Sequence, residues 1–580
     1  MFCIPPHLHE EVFQSRYEPY RQTESTVQAV KVTTVLPPYS PSFHRPLSTL
    51  AVSEKEFLYL RDVEQGNMNL LPLYEKSYHN DNQPYDPCMP SKKKRFPFKL
   101  ILILALLFAF IQLFLQLPPS LNSPFTLTRI MSSSSNYVKP LDPTFINRCQ
   151  NIKKPNAEIF VNRLNKISSI LPSDTIWISE PSASTSYFLG GFSEDDWFLS
   201  ERPFLVAINS NLEIYIVTPS FEFNRAKLLF NNLPKEIQKK TNWLEWKENQ
   251  SPYNILSEYL ENNNTGINKF VLDDNVREFV SRGLRNVLQE SKAGEDEEGE
   301  NLEDQIRSLR ERKDDWEIDM LKCANQFTLH AIRKTRERMY IGITESQIGK
   351  ILEEEMDKTG LVGGEGLVLF GENAALPHGS GTDRKLIKTD LILIDVGGKW
   401  GGYVSDITRT FALPSSKIAK SHIDLWETVR KAQKAPYELL ISSPDKDNIT
   451  FGELDKSARN LITNWKNRDS LLLFSKEEEV KGDEVDFSIF THRLGHGIGL
   501  EGHESPYLVQ GELQGDKQIE QGNVFSLEPG IYLPSDHKKV NGLSGIGVRL
   551  EDCFVLKKDD HTHGWTGEWL SGPVEKFGDI

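Results

Sequence analysis

The chain has 580 residues, 38% hydrophobic and 26% charged, which is too long for one core and divides into two or more domains. Its 67 Lys and Arg against 82 Asp and Glu give a net charge of −15, which excludes nucleic acid as a general partner because phosphate binding needs a basic surplus. The five cysteines (Cys3, Cys88, Cys149, Cys323, Cys553) form no CxxC pair, so neither a cysteine zinc site nor a dense disulfide framework is expected.

Residues 1–97 are rich in Pro, Ser, Tyr and charge without a sustained period, the composition of a disordered tail. The run LILILALLFAFIQLFLQL, residues 100–117, carries no charge, and a membrane span is expected over 98–118. Lys92, Lys93, Lys94, Arg95 and Lys99 gather at its N-terminal side, which by the positive-inside rule keeps the tail cytosolic. The expected topology is therefore a single-pass type II membrane protein whose larger C-terminal part is lumenal or extracellular. Sequons at Asn249, Asn263 and Asn448 fit that orientation, and a start at Met131 would omit the span.

A polar stem, 119–144, leads to residues 145–310, where strand-like runs such as FLVAIN and LEIYIVTP alternate with helical ones such as NILSEYLENNN. This is the pattern of a mixed α/β domain. The acidic stretch SKAGEDEEGENLED marks an exposed boundary. An amphipathic helix beginning near RKDDWEIDMLKCANQFTLHAI then opens a second α/β domain, residues 315–575.

Within it, LILIDVGGKWGGYVSDITRTF, residues 391–411, reads as a hairpin. A turn centred on Trp400 and Gly401 sets Asp395 opposite Asp406, with Cβ atoms about 4.5–5.5 Å apart. Carboxylates removed from water are costly unless paired, hydrogen-bonded or bound to a metal. Three later segments offer partners. THRLGHGIGLEGHESPYL holds His492, His496 and His503 among glycines that exclude a regular helix. GNVFSLEPGIYLP is an apolar run interrupted by Glu528, and GIGVRLEDCFVL places Arg549 and Glu551 on one strand face by period two. Asp395, Asp406, His496, Glu528 and Glu551 make five ligands, four of them carboxylates, more than a mononuclear site needs; two divalent metals are implied. Oxygen-rich ligation with one imidazole and no thiolate favours Mn2+.

The ordered set of an Asp, ten intervening residues, a second Asp, then His, Glu and Glu resembles the metallopeptidases of the pita-bread fold, which include methionine aminopeptidase, aminopeptidase P, prolidase and creatinase. The Arg two residues before the final Glu in GVRLED resembles aminopeptidase P and prolidase in particular, and residues 145–310 resemble the creatinase-type N-terminal domain that precedes their catalytic domain. The resemblance implies an α/β (α+β) architecture and, with all five ligand positions filled, an active enzyme. It also implies that His378 in ALPHGSG binds substrate, that His503 stands near the scissile carbonyl, and that His492 lines a proline pocket. Tyr403 and Arg549 match positions just outside the ligands and are expected on the substrate side with His492.

The implied activity is that of an aminopeptidase hydrolysing the N-terminal Xaa-Pro bond with a hydroxide bridging two metals, in which Glu528 moves the proton. The alternatives are an Xaa-Pro dipeptidase and a catalytically inactive binding protein on the same scaffold. Expected partners are peptides with proline at the second position, the membrane through residues 98–118, and a second copy in a homodimer.

Overall fold

The computed structural model describes residues 141–291, 301–364, 366–443, 448–467, 488–511, 515–536, 538–559 and 564–580. The expected tail and membrane span, the stem as far as residue 140 and most of the acidic stretch lie outside them. The expectation of a type II membrane protein is corrected: among the described residues no helix is long and apolar enough to cross a membrane. The run on which that expectation rested, 100–117, lies outside the described residues.

A short helix, α1 (Pro143–Gln150), is followed by α2 (Ala157–Ile170) and a six-stranded mixed sheet. Its strands are β1 (Thr175–Ser179), β2 (Leu205–Asn209), β3 (Ile214–Pro219), β4 (Thr241–Trp246), β5 (Lys269–Leu272) and β6 (Gln289–Glu290), in the order β4-β3-β2-β1-β5-β6. β1 to β3 are buried along their whole length, so they read as unbroken apolar runs instead of alternating ones. Alternate side chains serve opposite faces: Trp177, Val206 and Ile216 meet Leu164 and Ile167 of α2, while Ile176, Ile178 and Val217 meet Leu256 and Leu260 of α3 (Pro252–Asn262).

The second part begins with α4 (Asp315–Glu337) and α5 (Glu345–Thr359), which cover a three-stranded antiparallel sheet of β7 (Gly366–Phe370), β8 (Ile392–Val396) and β11 (Ile407–Phe411). β9 (Lys399–Trp400) and β10 (Tyr403–Val404) carry the β8–β11 hairpin outward to its turn. That turn is centred on Gly401 and Gly402, whose φ of 59° and 88° suit a two-residue type I′ hairpin turn. Asp395 therefore pairs with Thr408, and the expectation that it directly opposes Asp406 is corrected. Asp406 lies just ahead of β11, two residues before Thr408, and so falls on the same side.

α6 (Lys420–Ser442) and α7 (Phe451–Lys466) pack over a five-stranded antiparallel sheet ordered β13-β12-β14-β17-β18. Its strands are β12 (Gly495–Gly497), β13 (Glu504–Leu508), β14 (Val524–Leu527), β17 (Asp552–Lys558) and β18 (Trp565–Trp569); β15 (Gly530–Leu533) and β16 (Ile546–Arg549) form a separate pair. A disulfide joins Cys149 of α1 to Cys323 of α4 across 174 positions, a separation at which sequence spacing carries no pairing signal.

The two parts are joined at the start of α4. Asp314 and Glu317 cap that helix reciprocally, which places two acids where its amide groups and dipole favour them. Arg163 of α2 reaches both, 2.8 Å from Asp314 and 3.0 Å from Glu317, and its guanidinium lies over the Tyr187 ring. The Tyr403 hydroxyl donates to the other Glu317 oxygen at 2.9 Å, so one buried carboxylate holds helix, smaller part and hairpin together. We expect Arg163→Met, which strands the Glu317 charge, to cost about 3–5 kcal/mol in urea unfolding. Arg148→Met, at the more exposed pair with Asp319, should cost less than about 1 kcal/mol.

Candidate metal centre

The five expected ligands come from four separate segments that meet where the three-stranded sheet abuts the five-stranded one. Asp395 sits on β8, Asp406 ahead of β11, His496 on β12, Glu528 just after β14, and Glu551 in the bend between β16 and β17. Their ligand atoms form overlapping groups, each within 4.8 Å: Asp395, Asp406 and Glu551; His496, Glu528 and Glu551; and Asp406, His496 and His503. β12 fits between its neighbours because residues 495 and 497 are glycine; a Cβ at Gly495 would stand 1.9 Å from the Ser526 carbonyl oxygen. That close approach delivers His496 to the centre.

Backbone bonds fix the other ligands. The Glu551 N–H donates to Thr408 O at 3.0 Å, and the Glu528 N–H donates to Leu494 O at 2.8 Å. The Thr408 hydroxyl donates to Glu551 Oε2 at 2.8 Å. Arg549 Nη2 donates to Asp395 Oδ2 at 2.5 Å, its Nε donates to Thr408 Oγ1 at 3.1 Å, and its Nη1 donates to the Tyr532 hydroxyl at 2.8 Å. Outer partners of this kind orient ligands and hold their charge.

Two atoms show that the site suits a cation. His496 Nδ1 meets its neighbour's carbonyl, Gly497 O, at 3.1 Å, so in the neutral ring Nδ1 carries the hydrogen and Nε2 the lone pair. That Nε2 is buried, 3.2 Å from Glu528 Oε1 and 3.7 Å from Asp406 Oδ2, yet makes no hydrogen bond; Glu551 Oε1 is likewise buried without a partner. Unlike the other buried polar atoms without a partner, these two belong to residues that share one group of possible ligands, and a bare imidazole nitrogen and a bare carboxylate oxygen in such a group fit a divalent cation.

The electrostatics point the same way. Burial and the Asp395 charge push Asp406 up to about 8. Burial together with Asp406 and Glu528 raises Glu551 well above the carboxylate range. For Glu528 burial acts upward but His496 outweighs it and draws the group down to about 2, while Glu528 and Asp406 raise His496 against its own burial. Four carboxylates cannot all ionise here unless positive charge is added.

The centre opens onto a cavity of about 1290 Å3 whose lining includes all five ligands together with His378, His492, Arg493, His503, Tyr507 and Arg549. His492 Nδ1 donates to Arg493 O at 2.8 Å, which leaves Nε2 to accept from the Tyr532 hydroxyl at 2.9 Å. A chain thus runs from Arg549 through Tyr532 to His492, and burial holds His492 below its usual range. His378 is exposed at the mouth. Tyr403 is absent from the lining: it is buried against Glu317, so the structure does not bring it to the substrate side. Thr408, Tyr532 and Arg493 were not foreseen. Thr408 had the period-two relation to Asp406 as a signal, whereas Tyr532 and Arg493 had none.

Residues 319–558 match Metallopeptidase family M24. The chain is 34% identical over 455 residues to an uncharacterized peptidase of Schizosaccharomyces pombe, covering 76% of this chain and 88% of that protein. It is 28% identical over 397 residues to an Xaa-Pro dipeptidase of Lactobacillus helveticus, covering 67% and 91%. The solved structure of a dipeptidase from Pyrococcus horikoshii OT3 is similar with a TM-score of 0.54 at 27% identity, over 71% of this chain and 98% of that one. The mixed α/β architecture is accordingly the pita-bread fold. Because the matched segment holds the whole metal-ready cluster and the yeast peptidase is similar over most of its own length, this chain belongs to metallopeptidase family M24 and is an enzyme.

Proposed function

We propose that the enzyme is an Xaa-Pro dipeptidase, dependent on two divalent cations held by Asp395, Asp406, His496, Glu528 and Glu551. The observation that carries this reading is the pair of unsatisfied buried atoms, His496 Nε2 and Glu551 Oε1, at a centre lined by His492, which Tyr532 holds from behind. When bound, the cations, Mn2+ by the chemistry of the donors, supply Lewis-acid polarisation and activation of water. The names of the Lactobacillus and Pyrococcus relatives support a dipeptidase. A cavity of about 1290 Å3, roomier than a dipeptide needs, favours the second reading, an aminopeptidase acting on longer Xaa-Pro peptides.

The chain's own groups divide the work. Proline lacks an N–H and has a fixed φ, so its ring asks for a surface and not for an acceptor. His492 offers one, its ring set against Phe490 and Tyr532 at 5.1 and 5.5 Å. Glu528 takes a proton from the attacking water and delivers it to the proline nitrogen as the C–N bond breaks. His503 donates to the carbonyl oxygen as it becomes anionic. Arg549 restrains Asp395 and Tyr532 throughout.

Purified chain supplied with Mn2+ should hydrolyse Leu-Pro. Asp406→Ala and Glu551→Ala should each lower kcat/KM more than about 100-fold and reduce bound metal in elemental analysis. Full activity in either variant would sink the two-metal reading. Equal cleavage of Leu-Pro-Gly would favour the aminopeptidase, and a chain that takes up no metal and cuts neither peptide would be a binding protein.

The raised Asp406 and Glu551 also predict the effect of metal removal. Between the unfolded carboxylate pKa, about 4, and about 8 in the fold, the metal-free native chain binds more protons than the unfolded one. Its stability from these groups is complete below that window and lost as pH rises through it. Cations reverse the sign, so the rise in Tm on adding Mn2+ should be larger at about pH 8.5 than at about pH 5. Melting curves with Mn2+ and with a chelator at both pH values check this.

A further inference from the structure

Two imidazoles lie face to face at the centre: the rings of His496 and His503 have centroids 3.8 Å apart and planes 31° from parallel. Both are near enough to Asp406 to be ligands by distance alone. What meets each Nδ1 is different. His496 Nδ1 faces a carbonyl, Gly497 O, which can only accept, so in the neutral ring that a cation binds its Nε2 is bare. His503 Nδ1 lies 3.2 Å from Nη2 of Arg493, whose guanidinium is braced over the Tyr507 ring at 4.4 Å.

A guanidinium has five N–H groups and no lone pair, so the atom it meets must accept. His503 Nδ1 is therefore unprotonated, and the neutral ring carries its hydrogen on Nε2. We infer that Arg493 is a positioning residue: by occupying Nδ1 it fixes His503 as the Nε2–H tautomer, which makes that ring a hydrogen-bond donor to the substrate carbonyl and removes it from the set of metal ligands. Neither nitrogen of His503 then has a lone pair to give a cation. Adjacent rings thus present the same atom in opposite forms, a bare Nε2 at His496 for a cation and an Nε2–H at His503 for an anionic oxygen. The same contact explains why Arg493 lines the cavity while forming no ion pair with a carboxylate among the described residues. The inference rests on the Xaa-Pro peptidase reading for the identity of the carbonyl, and on geometry alone for the tautomer.

The test uses the full-length chain loaded with diamagnetic Zn2+ and labelled with 15N-histidine, His503 being assigned by comparison with H503Q. The expected spectrum has a pyridine-type Nδ1 and a pyrrole-type Nε2 at His503 in the wild type and in R493K, and loses that preference in R493M. In Leu-Pro kinetics R493M should lower kcat about 10–100-fold with KM little changed and metal content intact, and R493K, which keeps a donor, should recover most of the loss. A pyrrole-type Nδ1 in the wild type would overturn the inference, as would an unchanged kcat in R493M. So would a defect confined to KM for Leu-Pro and absent for Leu-Pro amide, since Arg493 would then be a receptor for the substrate carboxylate. Failure of the wild type to cut any Xaa-Pro peptide would remove the reaction, while the nitrogen spectra would still decide the tautomer.

Discussion

Four carboxylates share one partly desolvated centre, and the arrangement is tolerable only if cations join them. Everything around the centre answers that constraint. In water, side chains bearing like charges would turn apart. Here they are held by a seam in which backbone and side chains of two sheets bond to one another. Arg409, fully buried, donates to the carbonyls of Thr408 and Glu551 and pairs with Asp552 at 2.6 Å. The Thr410 hydroxyl donates to Arg549 O at 2.8 Å, and the Trp426 indole donates to Thr410 O at 2.7 Å. These bonds lie behind the ligands and keep them from relaxing outward. A preformed site of this kind meets a cation without first having to order its own residues.

The smaller part contributes without supplying a ligand. Arg310, in the segment that leads to α4, reaches Glu501 at 2.7 Å and Glu504 at 2.6 Å, and Lys313 reaches Glu504 at 2.7 Å. Those glutamates flank His503. Asn275, beyond β5, donates to Glu501 at 3.0 Å. The loop that carries a histidine to the cavity is thereby pinned by charges from outside its own sheet, which gives the smaller part a role in shaping the site. Burial here raises the stakes of each pair, because removing one member leaves the other charged and out of water.

Much of the centre was legible as a one-dimensional signal. Acidic residues that interrupt apolar runs, and histidines set among glycines, stand out in sequence because burial makes such residues costly. Asp395, Asp406, His496, Glu528 and Glu551 were found in this way and do converge. The arms of the hairpin were legible too, but its register was not: GGKWGG offers more than one glycine-bearing centre, and Gly401 with Gly402 is the pair that adopts positive φ. Tyr403 was misplaced for a related reason. The turn that sets Asp395 against Thr408 lies beside a helix cap, and Glu317 there claims the phenol.

The sequence by itself determined which side chains could hold metal, the alternation of strand and helix, and the resemblance to pita-bread peptidases, because these depend on residue type and local period. Tertiary structure alone decided the register of the acids, the Cys149–Cys323 link, the removal of Tyr403 from the cavity and the opposite tautomers of His496 and His503. Each of those turns on which atom meets which across long stretches of chain. An imidazole has the same two nitrogens wherever it occurs, and only its neighbour in space, a carbonyl oxygen or a guanidinium, settles which one carries the hydrogen.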